Sequence, residues 1–254
     1  MTIMDSFSLK NRTALVTGSG AGLGLEIARA LAQAGARVWL NGRSPSRLAH
    51  LIDQLGSEGL DVSTSAFDIA DDAERRSAVK AFGSDTPDIL VNNVGLRDRR
   101  SLSEMSDDDV RRLIEVDLTA SALLTRDLAE SMKSRGFGRI ITVTSIAGAV
   151  ARPGNTVYSA AKQGLTGLMR ALAVEYGPFG ITSNAIAPGF FATETNRAMS
   201  EDPDVNEYLK RRVPLGRWGQ PHEIAGAAVF LASQASSFVN GHVLTVDGGM
   251  TIQM

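Results

Sequence analysis

The 254-residue sequence predicts a doubly wound α/β fold, a parallel sheet with helices on both faces. Three observations carry that expectation. Short apolar, β-branched runs alternate with helix-period segments along the chain; a glycine-rich turn joins the first run to the first helix; and no Pro/Ser-rich linker, repeat or low-complexity stretch divides the sequence. A single domain over residues 1–254 is therefore expected, since this length suffices for one sizeable core.

The elements follow in order. Residues 13–17, Thr-Ala-Leu-Val-Thr, read as a strand that runs into Gly18-Ser19-Gly20-Ala21-Gly22-Leu23-Gly24 and then a helix over 25–34. Next come a strand at 37–41, a helix near 44–55, a strand near 62–67 and a helix near 71–82. A buried strand over 88–92 precedes a long amphipathic helix from about 106 to 133. The second half supplies strands at 138–144, 181–186 and 243–246, with helices near 155–176 and 221–232. Strands apolar on both faces suit a parallel sheet, and ligands of such sheets bind beyond the strand C-termini.

Composition excludes several function classes. A net charge of −2, with the charge runs at 97–100 and 107–112 mixed in sign, gives no general attraction to nucleic acid. The first ten residues lack a basic start followed by an apolar core, and no stretch approaches the roughly 20 apolar residues of a membrane span, so a cytoplasmic protein is expected. There is no Cys for disulfide or thiolate chemistry, and His50, His222 and His242 lack ligand spacing, so no metal is expected.

Two constellations carry chemistry. In the glycine-rich turn, missing Cβ atoms let the backbone approach a pyrophosphate whose charge the helix N-terminus receives. The spacing is Gly18-x-x-x-Gly22-x-Gly24, and a flexible loop is the bland alternative. In the second, Tyr158 and Lys162 stand i, i+4 apart and share a helix face, downstream of Ser145. A cation beside a phenol favours the phenolate, as a general acid/base working near neutrality requires. A serine hydroxyl can donate to a substrate oxygen. Together they suit redox at a C–OH or C=O centre with the hydride supplied by a cofactor.

Thr17-Gly18-x-x-x-Gly22-x-Gly24, Asn92-Asn93-Val94-Gly95, Ser145, Tyr158-x-x-x-Lys162 and Pro188-Gly189 occur in the order and at the distances of a known family. On these motifs the chain resembles the short-chain dehydrogenase/reductases from about Leu9 to Gly249. The resemblance implies a Rossmann fold and catalysis by Ser145, Tyr158 and Lys162. The fourth catalytic position, an Asn in the family, is Asp117 here. Beside Lys162 its anion would change the proton balance of the site, whereas satisfaction by surface neighbours is the alternative. The resemblance also implies cofactor binding by Gly18, Ser19, Gly22, Leu23 and Gly24, with Asp68 and Ile69 flanking an adenine. For Asp68 a helix N-cap is the rival role. Asn92, Val94 and Gly95 would close over the adenosine ribose, Tyr158 and Lys162 would border the nicotinamide ribose, and Pro188, Gly189 and Thr193 would hold the carboxamide.

Cofactor choice turns on the end of the second strand. An NAD site usually offers an acid there, but this chain reads Asn41-Gly42-Arg43-Ser44. Arg43, helped by Arg47, could fork a 2′-phosphate, so NADP is expected over NAD, although Ala21 stands where many NADP-preferring relatives carry a basic residue. For the small-molecule alcohol or ketone substrate, Arg97, Arg99 and Arg152 could fork a carboxylate or simply be solvated. Segments such as Ala187-Pro-Gly-Phe-Phe-Ala-Thr-Glu194 and Arg217-Trp-Gly-Gln are most similar to gluconate 5-dehydrogenase-like members, which implies a sugar acid, polyol or related hydroxy compound. The alternatives are a 3-oxoacyl-carrier-protein reductase and a non-catalytic NADP-binding protein. The resemblance further implies a homotetramer that pairs its long helices and C-terminal segments.

Overall fold

The computed structural model describes residues 2–254. Seven parallel strands form one sheet in the order β3-β2-β1-β4-β5-β6-β7: β1 Thr13–Val16, β2 Arg37–Gly42, β3 Val62–Ala66, β4 Ile89–Asn92, β5 Gly138–Val143, β6 Ile181–Pro188 and β7 Val243–Val246. The order reverses between β1 and β4, opening the crevice in which doubly wound sheets take ligands. Every residue of β4, β5 and β6 is buried, as expected of strands covered on both faces.

Among the described residues ten α-helices connect and cover the sheet. The first three are α1 Gly22–Gln33, α2 Pro45–Ser57 and α3 Asp72–Phe82. Ser44 caps α2 by accepting the Arg47 N–H, with Pro45 at the first helical position where its missing donor is not needed. Asp71 caps α3, taking the N–H groups of Ala73 and Glu74 at 2.9 Å each. The N-cap role weighed for Asp68 thus falls to Asp71, because the helix begins one turn later.

The long helix expected over 106–133 is interrupted. It begins as α4 Asp107–Ile114, opens into a π-helical turn over Glu115–Thr119, and continues as α5 Ala120–Arg135 before ending on a left-handed Gly136. Single π turns inside helices concentrate at functional sites, and this one carries Asp117. Beyond β5 lie the short α6 Ile146–Ala149 and α7 Thr156–Tyr176.

Between β6 and α10 Ala225–Ala232 the chain inserts two further helices, α8 Arg197–Ser200 and α9 Pro203–Arg212. Sequence periodicity did not predict them. They form a cap with its own small core, in which Leu209, Val213 and Trp218 pack with Ile146 and Met250. The two main cores lie on either side of the sheet, one under α1, α2 and α10 and the other under α5 and α7.

Candidate functional site

The strand C-termini open into a cleft of about 450 Å³ that runs from the β1–α1 turn to α7. At one end the glycine-rich turn is clamped between two amides. The Asn41 side chain, at the end of β2, accepts the Gly18 N–H at 3.3 Å and donates to the carbonyls of Ser65 and Phe67 at 3.0 and 3.1 Å. From the other side, Asn93 donates to the carbonyls of Thr17 and Gly18 at 2.9 and 3.2 Å. A Cβ on Gly24 would collide with both the Gly18 carbonyl and the Asn93 amide, so only glycine allows this approach of helix to turn. Ala21 precedes α1 without a side-chain cap, leaving first-turn donors for an anion such as a pyrophosphate.

Gly18, Gly22, Leu23 and Gly24 line this end, and Arg43, Asp68 and Ile69 line the flank below β2 and β3. Arg43 makes no ion pair among the described residues. Arg47, its expected helper, is committed elsewhere: its Nε donates to the Gly20 carbonyl at 2.8 Å and its guanidinium pairs with Glu194 at 3.2 Å. Asp68 caps its own turn through the Ala70 N–H and lies 3.7 Å from Arg112, another lining residue that the mixed-charge run concealed.

Two expected cofactor contacts face inward. Ser19 is fully buried, with its hydroxyl and the Asn41 N–H bonded at 2.9 Å, and Asn92 is buried with its amide donating to Thr125 at 3.0 Å. Neither lines the cleft, where Asn93 does. Strand alternation explains the exchange: of two consecutive asparagines, one must point into the layer of helices. Val94 and Gly95 line the middle of the cleft.

At the other end stand Ser145, Tyr158, Lys162, Pro188, Gly189 and Thr193. Ser145 caps α6 by accepting the Ala147 N–H at 3.1 Å, which leaves its own O–H to donate. Tyr158 and Lys162 lie one turn apart on α7, with the ammonium 5.6 Å from the ring centroid. The Arg97 guanidinium is 5.4 Å from the same ring.

Lys162 is 3% exposed and donates to the Val143 carbonyl at 3.4 Å. Asp117 is fully buried, with Oδ2 3.6 Å from that ammonium and Oδ1 accepting the Leu96 N–H at 2.5 Å. Its Oδ2 accepts no hydrogen bond in the structure. The surface role weighed for Asp117 is therefore wrong: the π turn carries it inward, against Gly95, where any Cβ would stand 2.8 Å from Nζ.

Burial pushes the Asp117 carboxyl above its ordinary range, opposed by Lys162 and the Leu96 N–H. A raised folded-state pKa means that ionising this carboxyl costs more in the native protein than in the unfolded chain. Its stabilising contribution is therefore complete below the unfolded value of about 3.9 and is lost as pH rises through the folded value. Asp117→Asn, which cannot ionise, should gain stability relative to wild type across that rise. Parallel thermal melts from pH 4 to 8 check this, and a difference that stays flat or moves the other way contradicts the burial argument.

Comparison with known proteins agrees with this geometry. A family model described as enoyl-(acyl carrier protein) reductase matches residues 18–251. Gluconate 5-dehydrogenase of Gluconobacter oxydans is 41% identical over 256 residues, covering 100% of both chains. The 3-oxoacyl-[acyl-carrier-protein] reductase of Salmonella typhimurium is 37% identical, covering 96% of this chain and 98% of its own. Among solved structures, a gluconate 5-dehydrogenase from Burkholderia cenocepacia in complex with NADP and tartrate superposes with a TM-score of 0.96 at 40% identity, covering 100% of both chains. The chain belongs to the short-chain dehydrogenase/reductase family.

Proposed function

We propose that this protein is an NADP-dependent oxidoreductase that interconverts a secondary alcohol and a ketone on a sugar acid or related polyol, as a gluconate 5-dehydrogenase does. The carrying observation is one cleft with a phosphate-sized glycine cradle at one end and Ser145, Tyr158 and Lys162 at the other. NADP-bound relatives of gluconate 5-dehydrogenase type, at 36 and 40% identity, support the cofactor and the substrate class.

The cofactor fits the residues present: a turn without Cβ obstruction, helix donors and the unpaired Arg43 match a pyrophosphate and a 2′-phosphate. When bound, NADPH would supply the hydride that the carbonyl carbon accepts. Tyr158 gives its proton to the carbonyl oxygen as that bond forms, Ser145 donates a hydrogen bond to the same oxygen, and the Lys162 ammonium faces the phenolate left behind. Oxidation runs the same steps backward with tyrosinate as base. Asp117 positions Lys162 and, through Leu96, the loop that carries Arg97. In this reading Asp68 and Ile69 border the adenine, Val94 and Gly95 the ribose, and Pro188, Gly189 and Thr193 the carboxamide. Ser19 and Asn92 act from behind by fixing the turn and β4.

A homotetramer in the cytoplasm completes the reading. Val174 and Phe179, in and just beyond α7, and Ile252 and Met254 near the C-terminus are apolar and exposed, as surfaces awaiting partner copies would be.

Reduction of 5-keto-D-gluconate by NADPH, followed by absorbance, tests the function directly. Preference for an acetoacetyl thioester would instead favour the 3-oxoacyl reductase reading. Tyr158→Phe is expected to lower kcat by about 10²–10⁴-fold while leaving NADP affinity within a few-fold. Near-normal turnover would remove Tyr158 from proton transfer. Arg43→Ala should raise KM for NADPH about 10-fold or more and leave KM for NADH little changed; equal effects on both would place the 2′-phosphate elsewhere. Light scattering should return the mass of four 26.9 kDa chains, and a monomer would refute the assembly.

A further inference from the structure

Beside the catalytic cleft lies a second cavity of about 200 Å³, roofed by the cap. The two share Arg97, Ser145, Gly189 and Asn196, so they are neighbouring compartments with a common wall. Tyr158 lines only the cleft, whereas Arg152 and Arg212 line only the side cavity. Three arginines thus line one space from three parts of the fold: Arg97 from the loop after β4, Arg152 from the loop before α7, and Arg212 as the last residue of α9.

No Asp, Glu or Lys lines this cavity, and none of the three arginines makes an ion pair among the described residues; Arg152 Nε donates to the Asn155 side-chain oxygen at 3.0 Å, with the Asn155 amide oriented to satisfy both its atoms. Other arginines of this face are satisfied. Arg47 pairs with Glu194, Arg211 with Glu207, and Arg217 with Glu223, while Arg99 donates to Asn196. The positions are also built. Trp218 donates to Asn206 at 2.8 Å, and Leu209, one turn before Arg212, is 1% exposed, which fixes α9. Arg152 stands 5.9 Å from the centroid of the Phe190 ring, another wall of the cavity. Arginine stays charged at any physiological pH, so like charges held together call for an anion between them.

We propose that Arg152 and Arg212 form the seat of the substrate carboxylate, with Arg97 at the mouth between that seat and the catalytic cleft. The assignment rests on the sugar-acid reading above and deepens it. Because the seat and Tyr158 occupy different compartments, the reacting carbon lies several bonds from the carboxylate, which disfavours 2-hydroxy acids.

The test uses the full-length protein with NADPH and compares kcat/KM for 5-keto-D-gluconate with that for the neutral ketose D-fructose. Arg152→Met and Arg212→Met should each reduce the acid-to-neutral ratio about 10-fold or more, the loss expected for one charge-assisted hydrogen bond. Lysine at either position, which keeps the charge without the fork, should restore part of it. Arg212→Gln serves if methionine disturbs α9. Equal losses for acid and neutral ketose overturn the proposal. Calorimetric binding of D-gluconate to the NADP-loaded protein gives an independent arm. If wild type turns over no sugar acid, the functional reading falls, yet gluconate binding weakened by the double variant still sustains the seat. Gluconate binding absent in wild type, or unchanged in the double variant, overturns it.

Discussion

An ammonium group can be held out of water only where dipoles or an anion replace its hydration, and Lys162 is held 3% exposed in the wall of a cleft. Its replacement shell comes from two separate parts of the chain, the Val143 carbonyl at the end of β5 and the Asp117 carboxyl in the π turn, and the missing side chain of Gly95 gives the ammonium room. Each explains a local oddity. The π turn exists where a continuous α-helix would carry no obligation to place a carboxyl inward, and residue 95 has to be glycine because a side chain there would meet Nζ. The same Asp117 also holds the Leu96 N–H, so one carboxyl fixes both the cation behind Tyr158 and the loop in front of it. Buried ion pairs contribute little net stability, since desolvation offsets the attraction. What this one supplies is placement.

The opposite end of the cleft solves the complementary problem, receiving negative charge without supplying any. Asn41 and Asn93 are neutral: Asn41 accepts the Gly18 N–H and ties the turn to β3, Asn93 donates only to the Thr17 and Gly18 carbonyls, and the first turn of α1 has no side-chain cap. A carboxylate in place of either would repel the phosphates that the turn is shaped to accept. The two arginines after β2 differ: Arg47 straps the turn to the segment containing Glu194, while Arg43 makes no ion pair among the described residues.

The sheet and its seven strands were legible because apolar runs and glycine turns are local signals, and the Tyr158/Lys162 pair because a helix enforces its own spacing. What escaped was set by tertiary contacts. The π turn leaves no mark in Glu115-Val-Asp-Leu-Thr119, whose periodicity continues that of the flanking helices, so a buried Asp117 read equally well as a surface residue. Asn92 and Asn93 are alike in type, and only strand register decides which one faces the cleft. The cap hides for a different reason. Its helix α9 is mostly polar and buries only Leu209, too little for a periodic pattern to announce a core-facing element.

Arg97 joins the two halves of the site, because its charge borders both the Tyr158 ring and the side cavity. An arginine facing only the cavity would bind an acid without affecting chemistry, and one facing only the ring would favour a phenolate without selecting a substrate. Serving both, it places any anion bound in the side cavity within electrostatic reach of the Tyr158 ring. In the proposed arrangement a carboxylate between Arg152 and Arg212 offsets the repulsion among the three like charges, which a neutral ligand cannot do. In that arrangement discrimination between acids and neutral polyols acts through the Tyr158 ring as well as through binding, with arginine as a partner that keeps its charge near neutrality.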